Sequence, residues 1–414
     1  MRYINSFFMI HIKTHKFLVA IVMILLPLLY VGCKPKSHTS DVIAELSASV
    51  DTLYTPLYAK GYDVLGSSDS AIIMLDIKNP WQGAENISKK VILNYTGTPL
   101  SEKYDNADVQ IIDKVPERIV CTSSTQVAML EAMGLADKIV GVSGKQFISS
   151  EYIKRHSAEI VDIGYDNQVD YEKLVSTHPD LVLLYGVSGP NIMESKLRDL
   201  GIPYFYVGEY LEELPLGKTE WLIPLASILN EHNKGKDIFD DIKKRYETIK
   251  YKTQTNQHKS PLVMLNTPYQ DIWYMPAVES YLVQLIKDAG GEYIISAKGL
   301  ASASGNKPVN IDKETALMLG NEADVWLNPG ANIDTKEELL RMLPTFKNTK
   351  ILRTGKIYNN NLRVTPGGGN DFFEGGIMNP DKILEDLIQI FHPVDNALNS
   401  DSVAVRFTYY KEIR

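Results

Sequence analysis

The sequence has little of what builds disulfides and metal centres. Its 414 residues include two cysteines, Cys33 and Cys121, and eight histidines. Beyond residue 33, no two histidines stand four residues apart and no cysteine cluster occurs. Zinc sites need such groups of closely spaced ligands. The sequence therefore predicts neither a site for a bare metal ion nor a disulfide framework.

Signatures of catalysis and of nucleic-acid binding are missing as well. A nucleophile elbow has the pattern G-x-S-x-G, but the two GVSG stretches, 141–144 and 186–189, are followed by Lys145 and Pro190. The glycine-rich stretch 365–371 is not followed by the Lys-Ser or Lys-Thr pair of a phosphate-binding loop. The formal net charge is −8 and no basic stripe occurs, which argues against a nucleic-acid partner. The sequence predicts no catalytic residue, and hydrolysis stays as a competing hypothesis.

The N-terminus carries a targeting pattern. Two lysines precede an apolar run at 17–30, which is interrupted by a proline and poorly suited to span a bilayer. The run stops just before Gly32-Cys33, and the chain then turns polar. This pattern resembles a bacterial lipoprotein signal, in which the cysteine is lipidated and becomes the new N-terminus, although Tyr30 stands where leucine is usual. We expect lipidation of Cys33; the alternative is an ordinary signal peptide with an incidental cysteine.

Lipidation of Cys33 would leave Cys121 as a single thiol without a disulfide partner. Cys121 lies inside an apolar run, and no histidine lies near it in the sequence. We therefore expect Cys121 to be a buried small hydrophobic residue; a reactive thiol is the less favoured alternative.

The rest of the chain changes character several times. Residues 71–77 and 89–95 are β-rich and are separated by turn residues, which predicts a small sheet ahead of the main fold. From Val115 onward, apolar strand runs alternate with helical stretches, as is typical of a mainly parallel sheet with helices on both faces. The predicted parts are a lipoprotein signal 1–33, a tether 34–57, a β-rich extension 58–114, an N-terminal α/β lobe 115–216, linking helices 217–257, a C-terminal α/β lobe 258–393 and a tail strand 394–414.

The linking region has no strand pattern. Ile238, Ile242, Tyr246 and Ile249 recur at helical spacing and form one apolar face. The predicted fold class is α/β, with two lobes joined by one long helix and a small N-terminal β layer.

Four landmarks in this layout resemble the iron-complex and vitamin B12 binding proteins of bacterial ABC importers. They are VPERIVCTSSTQVAMLEAMGLADKIVGVSG (115–144), VDYEKLVSTHPDLVLLYG (169–186), DAGGEYI (288–294) and NEADVWLNPG (321–330). Their order and spacing carry the resemblance, which covers roughly residues 115–393 and leaves the β-rich extension and the tail unexplained. The resemblance implies two Rossmann-like lobes bridged by a rigid helix, with a ligand held between them. It also implies limited closure, because a helix hinges less easily than a loop.

The stretch CTSSTQ (121–126) leads from a strand into a helix N-terminus, where free N–H groups and hydroxyls suit polar or anionic ligand edges. Ser124 or Thr125 would cap the helix, a role compatible with ligand contact. The resemblance places aromatic residues of nearby loops on the cleft walls; core packing is the alternative for each. The glycines of 365–371 would let a cleft loop approach the ligand, and Arg363 would either pair with a ligand carboxylate or be solvated. The candidate ligand-binding residues are Ser123, Ser124, Thr125, Tyr165, Tyr185, Trp273, Tyr274, Arg363, Phe372 and Phe373.

The resemblance also implies the partners. In that family, an acidic residue on the outer surface of each lobe meets arginines of the membrane permease. Glu194 and Glu337 match these positions, with Glu338 as an alternative. The expected protein is a monomeric, lipid-anchored substrate-binding protein on the periplasmic side of the cell envelope, with an ABC permease in the inner membrane as its partner.

The resemblance implies an iron complex as the ligand, and because the side chains for a bare metal ion are missing, the iron would arrive already chelated. A ferric siderophore or haem would fit, and cobalamin is the alternative within the same family. No cofactor of the protein's own is expected. A surface interaction lipoprotein stays as a further alternative, because the β-rich extension has no explanation in the family.

Overall fold

A computed structural model describes residues 52–66, 72–97, 109–165, 168–187, 189–255, 259–270, 272–300, 307–393 and 406–414. The predicted signal, with Cys33, and most of the predicted tether lie outside these residues. Within the described ranges, no helix is both long and apolar enough to cross a membrane.

The N-terminal extension is a five-stranded sheet whose strands lie in chain order. Each of the first three pairs of neighbouring strands is antiparallel, whereas the fourth and fifth strands run parallel to each other. Leu75, Val91 and Ile112 from this sheet belong to the same hydrophobic core as the strands of the following lobe. The extension and the lobe therefore share one core. The strands are β1 (Thr52–Tyr54), β2 (Tyr62–Leu65), β3 (Ile73–Lys78), β4 (Ser88–Leu93) and β5 (Val109–Ile112).

The N-terminal lobe is a parallel sheet with the order β10-β9-β6-β7-β8. Every residue of β6, β9 and β10 is buried, as expected for parallel strands that helices cover on both faces. The chain reverses its direction of travel across the sheet between β6 and β9. The strands are β6 (Ile119–Cys121), β7 (Ile139–Val142), β8 (Val161–Asp162), β9 (Leu181–Leu184) and β10 (Tyr204–Tyr206), and the helices are α1 (Ser124–Ala132), α2 (Glu151–Arg155), α3 (Tyr171–Ser176) and α4 (Met193–Asp199).

Three helices link the lobes: α5 (Pro215–Glu220), α6 (Leu222–Ile228) and α7 (His232–Thr255). All residues of α6 are buried. Helix α7 packs closely against α6 at Gly235: a Cβ atom at this position would lie only 2.4 Å from the Ala226 Cβ atom, so a larger residue would not fit. The predicted apolar face of α7 is present, with Ile242 and Tyr246 buried. Its deepest position, Phe239, was not part of the predicted face.

The C-terminal lobe is a second sheet with the order β13-β11-β15-β16-β17. Its last strand runs antiparallel to β16 at the edge and covers only two residues of the predicted tail strand, 394–414, of which 394–405 lie outside the described residues. A separate antiparallel pair, β12 and β14, lies beside it. The strands are β11 (Leu262–Leu265), β12 (Trp273–Met275), β13 (Glu292–Tyr293), β14 (Val309–Ile311), β15 (Val325–Leu327), β16 (Lys356–Asn359) and β17 (Lys411–Glu412), and the helices are α8 (Tyr281–Asp288), α9 (Ile294–Ala297), α10 (Lys313–Glu322), α11 (Lys336–Met342), α12 (Lys350–Thr354) and α13 (Pro380–Phe391). The predicted α/β architecture of two lobes joined by a long helix is confirmed.

Two buried carboxylates fasten the N-terminal extension to the linking helices. Glu220 on α5 accepts hydrogen bonds from the Tyr54 hydroxyl at 2.5 Å and from the backbone N–H groups of residues 57–59 at 2.7–2.8 Å. Glu212, just before α5, accepts from the N–H groups of residues 60–61 at 3.0 Å. One continuous stretch of the extension is therefore held by ionic acceptors from another part of the chain, and bonds to such acceptors are the stronger kind.

Candidate functional site

A cavity of about 520 Å³ opens at the carboxyl ends of β6 and β9. These two strands flank the point where the strand order of the N-terminal lobe reverses, which is where α/β sheets usually bind ligands. The volume falls in the usual range of ligand pockets, roughly 300–1,000 Å³. The wall combines an aromatic ring, aliphatic side chains and small polar groups. Its residues are Thr122, Ser143, Val169, Tyr185, Gly186, Val187, Gly189, Pro190, Asn191, Ile192 and Met193.

The serine-threonine turn lies at the N-terminus of α1, beside this cavity. Ser123 caps the helix, instead of Ser124 or Thr125 as predicted, and forms a capping box with Gln126. The Ser123 and Thr125 hydroxyls are 2.8 Å apart. Ser123, Ser124 and Thr125 are all partly exposed, but the residue of this turn that lines the cavity is Thr122.

A buried acid and a buried amine lie behind the turn. The Thr125 hydroxyl donates to Glu209 Oε1 at 2.5 Å, while burial raises the pKa of Glu209. Lys218 Nζ donates to the Glu209 backbone carbonyl at 3.0 Å and lies 4.6 Å from the ring centre of Tyr281 in the other lobe. Burial lowers the pKa of Lys218 to about 8. The sequence offered no signal for this pair, because neither residue belongs to a motif.

Two of the predicted aromatic residues stand at carboxyl ends of N-lobe strands. Tyr185 follows β9, lines the cavity and meets the ring of Tyr210 edge-on with centroids 6.3 Å apart. Tyr165 follows β8, is exposed, and packs against Phe147 at 5.1 Å. Both rings thus lie at the edge of the sheet where the cavity opens.

The two adjacent aromatic residues on β12 have opposite environments. Trp273 is 0% exposed; its indole N–H donates to the Leu265 carbonyl at 2.9 Å. Its ring packs against Trp326 at 5.7 Å and Phe346 at 5.5 Å. Tyr274 is exposed, because successive side chains of a strand point to opposite faces. The structure therefore places Trp273 in the core, contrary to the predicted cleft wall, and leaves Tyr274 as the candidate.

The same correction applies to one of the two adjacent phenylalanines. Phe372 is only 2% exposed and meets Tyr409 and Tyr410 edge-on, at 6.0 and 5.7 Å. Phe373 is exposed. Phe372 is thus a core residue that anchors the C-terminal tail, and Phe373 alone is placed where a ligand could reach it.

Further exposed apolar side chains follow the C-lobe strands. Tyr269 and Ile272 form a bridged turn after β11, and Leu362 and Val364 follow β16. All four stand beyond the carboxyl ends of parallel strands, as Tyr165 and Tyr185 do in the other lobe. Their position was not predictable from the sequence, because they are ordinary loop residues until the strand ends are known.

Arg363 is already paired within the protein. Its guanidinium lies 3.0 Å from Asp371 and 5.9 Å from the ring centre of Tyr409. The Asp371 N–H also donates to the Arg363 carbonyl at 2.9 Å. Arg363 is therefore neither merely solvated nor free for a ligand carboxylate, which would have to compete with Asp371.

The glycine-rich loop 365–371 contacts the other lobe. A Cβ atom at Gly369 would lie 1.7 Å from the Phe147 carbonyl oxygen, and one at Gly367 would lie 2.5 Å from that of Gln146. The Thr365 hydroxyl also donates to the Gln146 carbonyl at 2.8 Å. These glycines serve the approach of one lobe to the other, instead of the predicted approach to a ligand. The loops after β7 and β16 thus meet, so the carboxyl edges of the two sheets face each other.

Glu374 extends this contact. Its carboxylate accepts hydrogen bonds from the backbone N–H groups of Ser149 and Ser150 at 2.6 and 2.8 Å. Burial, together with the nearby charge of Asp371, raises the pKa of Glu374 to about 7. This inter-lobe contact is consequently expected to depend on pH.

The pH dependence has a definite sign. The pKa of Glu374 rises on folding from 4.5 to about 7, so its stabilising contribution is complete below pH 4.5 and is lost as the pH rises towards 7. The loss is as much as about 3 kcal/mol. Urea unfolding of wild type and Glu374→Gln across this range should show a steeper decline for wild type. Glu151→Gln is the control, because the pKa of Glu151 is lowered, mainly by its hydrogen bond to Lys154. Parallel profiles for wild type and Glu374→Gln would contradict the assignment.

Glu194, the predicted permease contact of the N-terminal lobe, is not a free surface carboxylate. It is 6% exposed and accepts from Lys89 and Arg198 at 2.8 Å and from the Tyr206 hydroxyl at 2.7 Å. Burial raises the pKa of Glu194, but the bonds from Lys89 and Tyr206 outweigh it and hold the pKa below its ordinary value. The N-terminal sheet supplies Lys89 and thereby covers the position where the resemblance placed the docking residue.

Glu337, the predicted contact of the C-terminal lobe, is exposed in the first turn of α11. Its neighbour Glu338 is engaged in a capping box with Thr335. Of the two alternatives, Glu337 is therefore the carboxylate that is free of a capping role.

Two further chemical candidates, Cys121 and Ser143, have structural roles. Cys121 is 1% exposed, and burial raises the pKa of its thiol, so it is the predicted buried hydrophobic residue. The Ser143 hydroxyl donates to the Gly164 carbonyl at 2.8 Å. Ser188 lies outside the described residues. Among the described residues, no cluster of histidine, cysteine and acidic side chains could hold a metal ion.

Comparisons with known proteins agree with this geometry. A profile described as periplasmic binding protein matches residues 119–360. An uncharacterized lipoprotein of Methanocaldococcus jannaschii is 25% identical over 362 residues, which cover 81% of each chain. An uncharacterized ABC transporter substrate-binding lipoprotein of Bacillus subtilis is 26% identical over 235 residues, 56% of this chain and 67% of the relative.

Two solved structures share the fold. A periplasmic heme binding protein from Pseudomonas aeruginosa superposes with a TM-score of 0.50 at 18% identity, over 72% of this chain and 98% of that one. A periplasmic solute-binding protein from Staphylococcus epidermidis gives 0.51 at 16% identity, over 67% and 98%. The matched profile spans more than half of the chain, including the cavity and the linking helices. The chain belongs to the periplasmic binding protein family of ABC importers, and it is a ligand-binding transport component, not an enzyme.

Proposed function

We propose that this protein captures an iron complex, a ferric siderophore or haem, between its two lobes and delivers it to an ABC permease. The observation that carries the proposal is the chemistry of the cleft. Tyr165 and Tyr185 on one lobe and Tyr269 on the other place aromatic rings beyond the carboxyl ends of opposed parallel strands, and the neighbouring strand β12 adds the exposed ring of Tyr274. Such walls suit a large chelate with a flat or apolar body and polar rims. Cobalamin, an amide-rimmed macrocycle, is the alternative ligand.

The anchor is the second part of the proposal. The apolar N-terminal run that ends at Gly32-Cys33 supports lipidation of Cys33, and the archaeal and Bacillus subtilis relatives are described as lipoproteins. A tethered binding protein stays at the membrane that holds its permease, so its effective concentration there is high. The protein would act as a lipid-anchored monomer on the periplasmic side of the envelope.

Docking on the permease is the third part. Exposed Glu337 supports a contact with permease arginines through the C-terminal lobe. Because Lys89 and Arg198 already neutralise Glu194, the N-terminal lobe would dock through a different group on the surface that its added sheet creates.

A thermal-shift screen tests the proposal. The purified protein is heated alone and with ferric desferrioxamine, haem or cobalamin, and one ligand class should raise the melting temperature, since a ligand at a hundred times its Kd adds about 2.7 kcal/mol. Tyr185→Ala should weaken binding of that ligand about tenfold or more. Tyr251→Ala is the matched control, because Tyr251 is an exposed tyrosine on α7, outside the cavity. Stabilisation by none of the three would contradict the proposed cargo.

A further inference from the structure

The N-terminal sheet lies outside the region that matches the family, residues 119–360, yet it reaches the binding cavity. The turn between β3 and β4 spans residues 79–87. Within it, Trp81 forms a parallel β-bridge with Gly186, the residue that follows Tyr185 on the cavity wall. The turn is thus joined directly to the strand end that lines the cavity.

This contact leaves no spare room. A Cβ atom at Gly186 would lie 3.1 Å from the Trp81 Cβ atom and 2.5 Å from the Gly189 carbonyl oxygen. The Trp81 ring packs against Tyr206 with centroids 5.8 Å apart, and the side chain is 9% exposed. Trp81 therefore acts as a positioning residue that fixes the turn against β9.

The turn is also rigid in itself. The Asn79 N–H donates to the Ile87 carbonyl at 2.7 Å, and the Ile87 N–H donates to Asn79 Oδ1 at 3.2 Å. The Ala84 N–H closes a tighter turn on the Trp81 carbonyl at 3.1 Å. These bonds hold Gln82, the residue after Trp81, at the tip of the turn, where it is exposed.

Tyr210 braces the cavity wall beside this tip. Its hydroxyl donates to the carbonyl of Gly186, the residue to which Trp81 is bridged. Its ring meets Tyr185 edge-on at 6.3 Å. Gln82 directly follows Trp81, which is bridged to Gly186 on the cavity wall, so Gln82 stands at the border of the cavity.

We infer that the β3–β4 turn extends the N-lobe wall of the cleft and that Gln82 contacts the polar rim of the bound ligand. The inference rests on the proposed function, because it needs a ligand in the cavity. A carboxamide can donate to a carboxylate and can both donate to and accept from an amide. The added sheet would then determine ligand specificity as well as cover Glu194.

The test compares two ligands and two substitutions. Kd values for haem, which carries carboxylates, and for cobalamin, which carries amides, are measured on wild type, Gln82→Ala and Gln82→Glu. Gln82 is exposed on a turn, so both variants should fold, and their unchanged melting temperatures without ligand would verify this. The matched control is Gln254→Glu, which introduces the same charge at an exposed glutamine of α7 that does not line the cavity.

For a ligand that wild type binds, Gln82→Ala should weaken binding about three- to tenfold, the effect of one lost hydrogen bond. Gln82→Glu should weaken haem binding more than Gln82→Ala does, because two carboxylates would then face each other, whereas cobalamin binding should respond less. Unchanged Kd values in both variants, with wild-type binding intact, would overturn this inference and leave the proposed function standing. If wild type bound neither haem nor cobalamin, the inferred contact of Gln82 with these ligands would be overturned. The ferric desferrioxamine arm of the thermal-shift screen would then decide the proposed function separately.

Discussion

Replacing Glu220 with glutamine is expected to lower the free energy of unfolding by about 3 kcal/mol or more. The Glu220 side chain is 0% exposed and receives four donors, the Tyr54 hydroxyl and the N–H groups of residues 57–59. A glutamine keeps the shape but turns one acceptor oxygen into a donor, so two of these four buried or partly buried donors would face an N–H₂ group. Each unpaired buried donor costs about 1–3 kcal/mol.

Glu213→Gln is the matched control for this change. Glu213 belongs to the same region, but its side chain is 36% exposed and makes an ion pair with exposed Lys60. Its replacement should change the free energy of unfolding by less than about 0.5 kcal/mol. Urea unfolding followed by circular dichroism provides both values. Equal, small effects of the two substitutions would show that the hydrogen bonds to Glu220 do not hold the extension in place.

Trp273→Ala is expected to destabilise the protein by about 3–5 kcal/mol, as truncation of a fully buried large side chain usually does. The substitution would leave a cavity between Trp326 and Phe346 and would remove the hydrogen bond to the Leu265 carbonyl. Little of this loss can be recovered, because the surrounding rings come from separate elements, β15 and the turn before α12.

Its neighbour supplies the control. Tyr274→Ala removes an exposed aromatic side chain from the same strand, so the free energy of unfolding should change by less than about 0.5 kcal/mol. Thermal melts of both variants without ligand distinguish the two roles. A stable Trp273→Ala protein that had lost only ligand binding would restore Trp273 to the cleft wall and would contradict the packing described above.

The architecture was predictable because it depends on local patterns. Apolar runs such as 119–121 and 181–184 alternate with helical stretches, and that alternation already dictates parallel sheets covered by helices. The tail strand and the two β-rich segments before residue 115 were visible for the same reason. The spacing of Ile242 and Tyr246 located the long helix. The predicted apolar face did not include Phe239, although this residue is buried.

The candidate site was less predictable because it depends on which way side chains point and on partners that are far apart in the sequence. Trp273 and Tyr274, like Phe372 and Phe373, are adjacent aromatic residues, and the sequence does not show which member of each pair points inward. Glu194 reads as an ordinary helical surface residue, since its partner Lys89 lies 105 positions away. The donors to Glu220 are more than 160 positions away. No sequence motif predicts contacts of this kind.

The proposed function requires a ligand between the carboxyl edges of the two sheets, and a hydrogen-exchange footprint tests this most directly. Exchange is compared with and without the ligand that raises the melting temperature. We predict slower exchange at residues 122–126 and 185–187 of the N-terminal lobe and at 266–270 of the C-terminal lobe, with no change at the exposed end of α7. Protection confined to one lobe, or located away from these strand ends, would contradict the binding of ligand in this cleft.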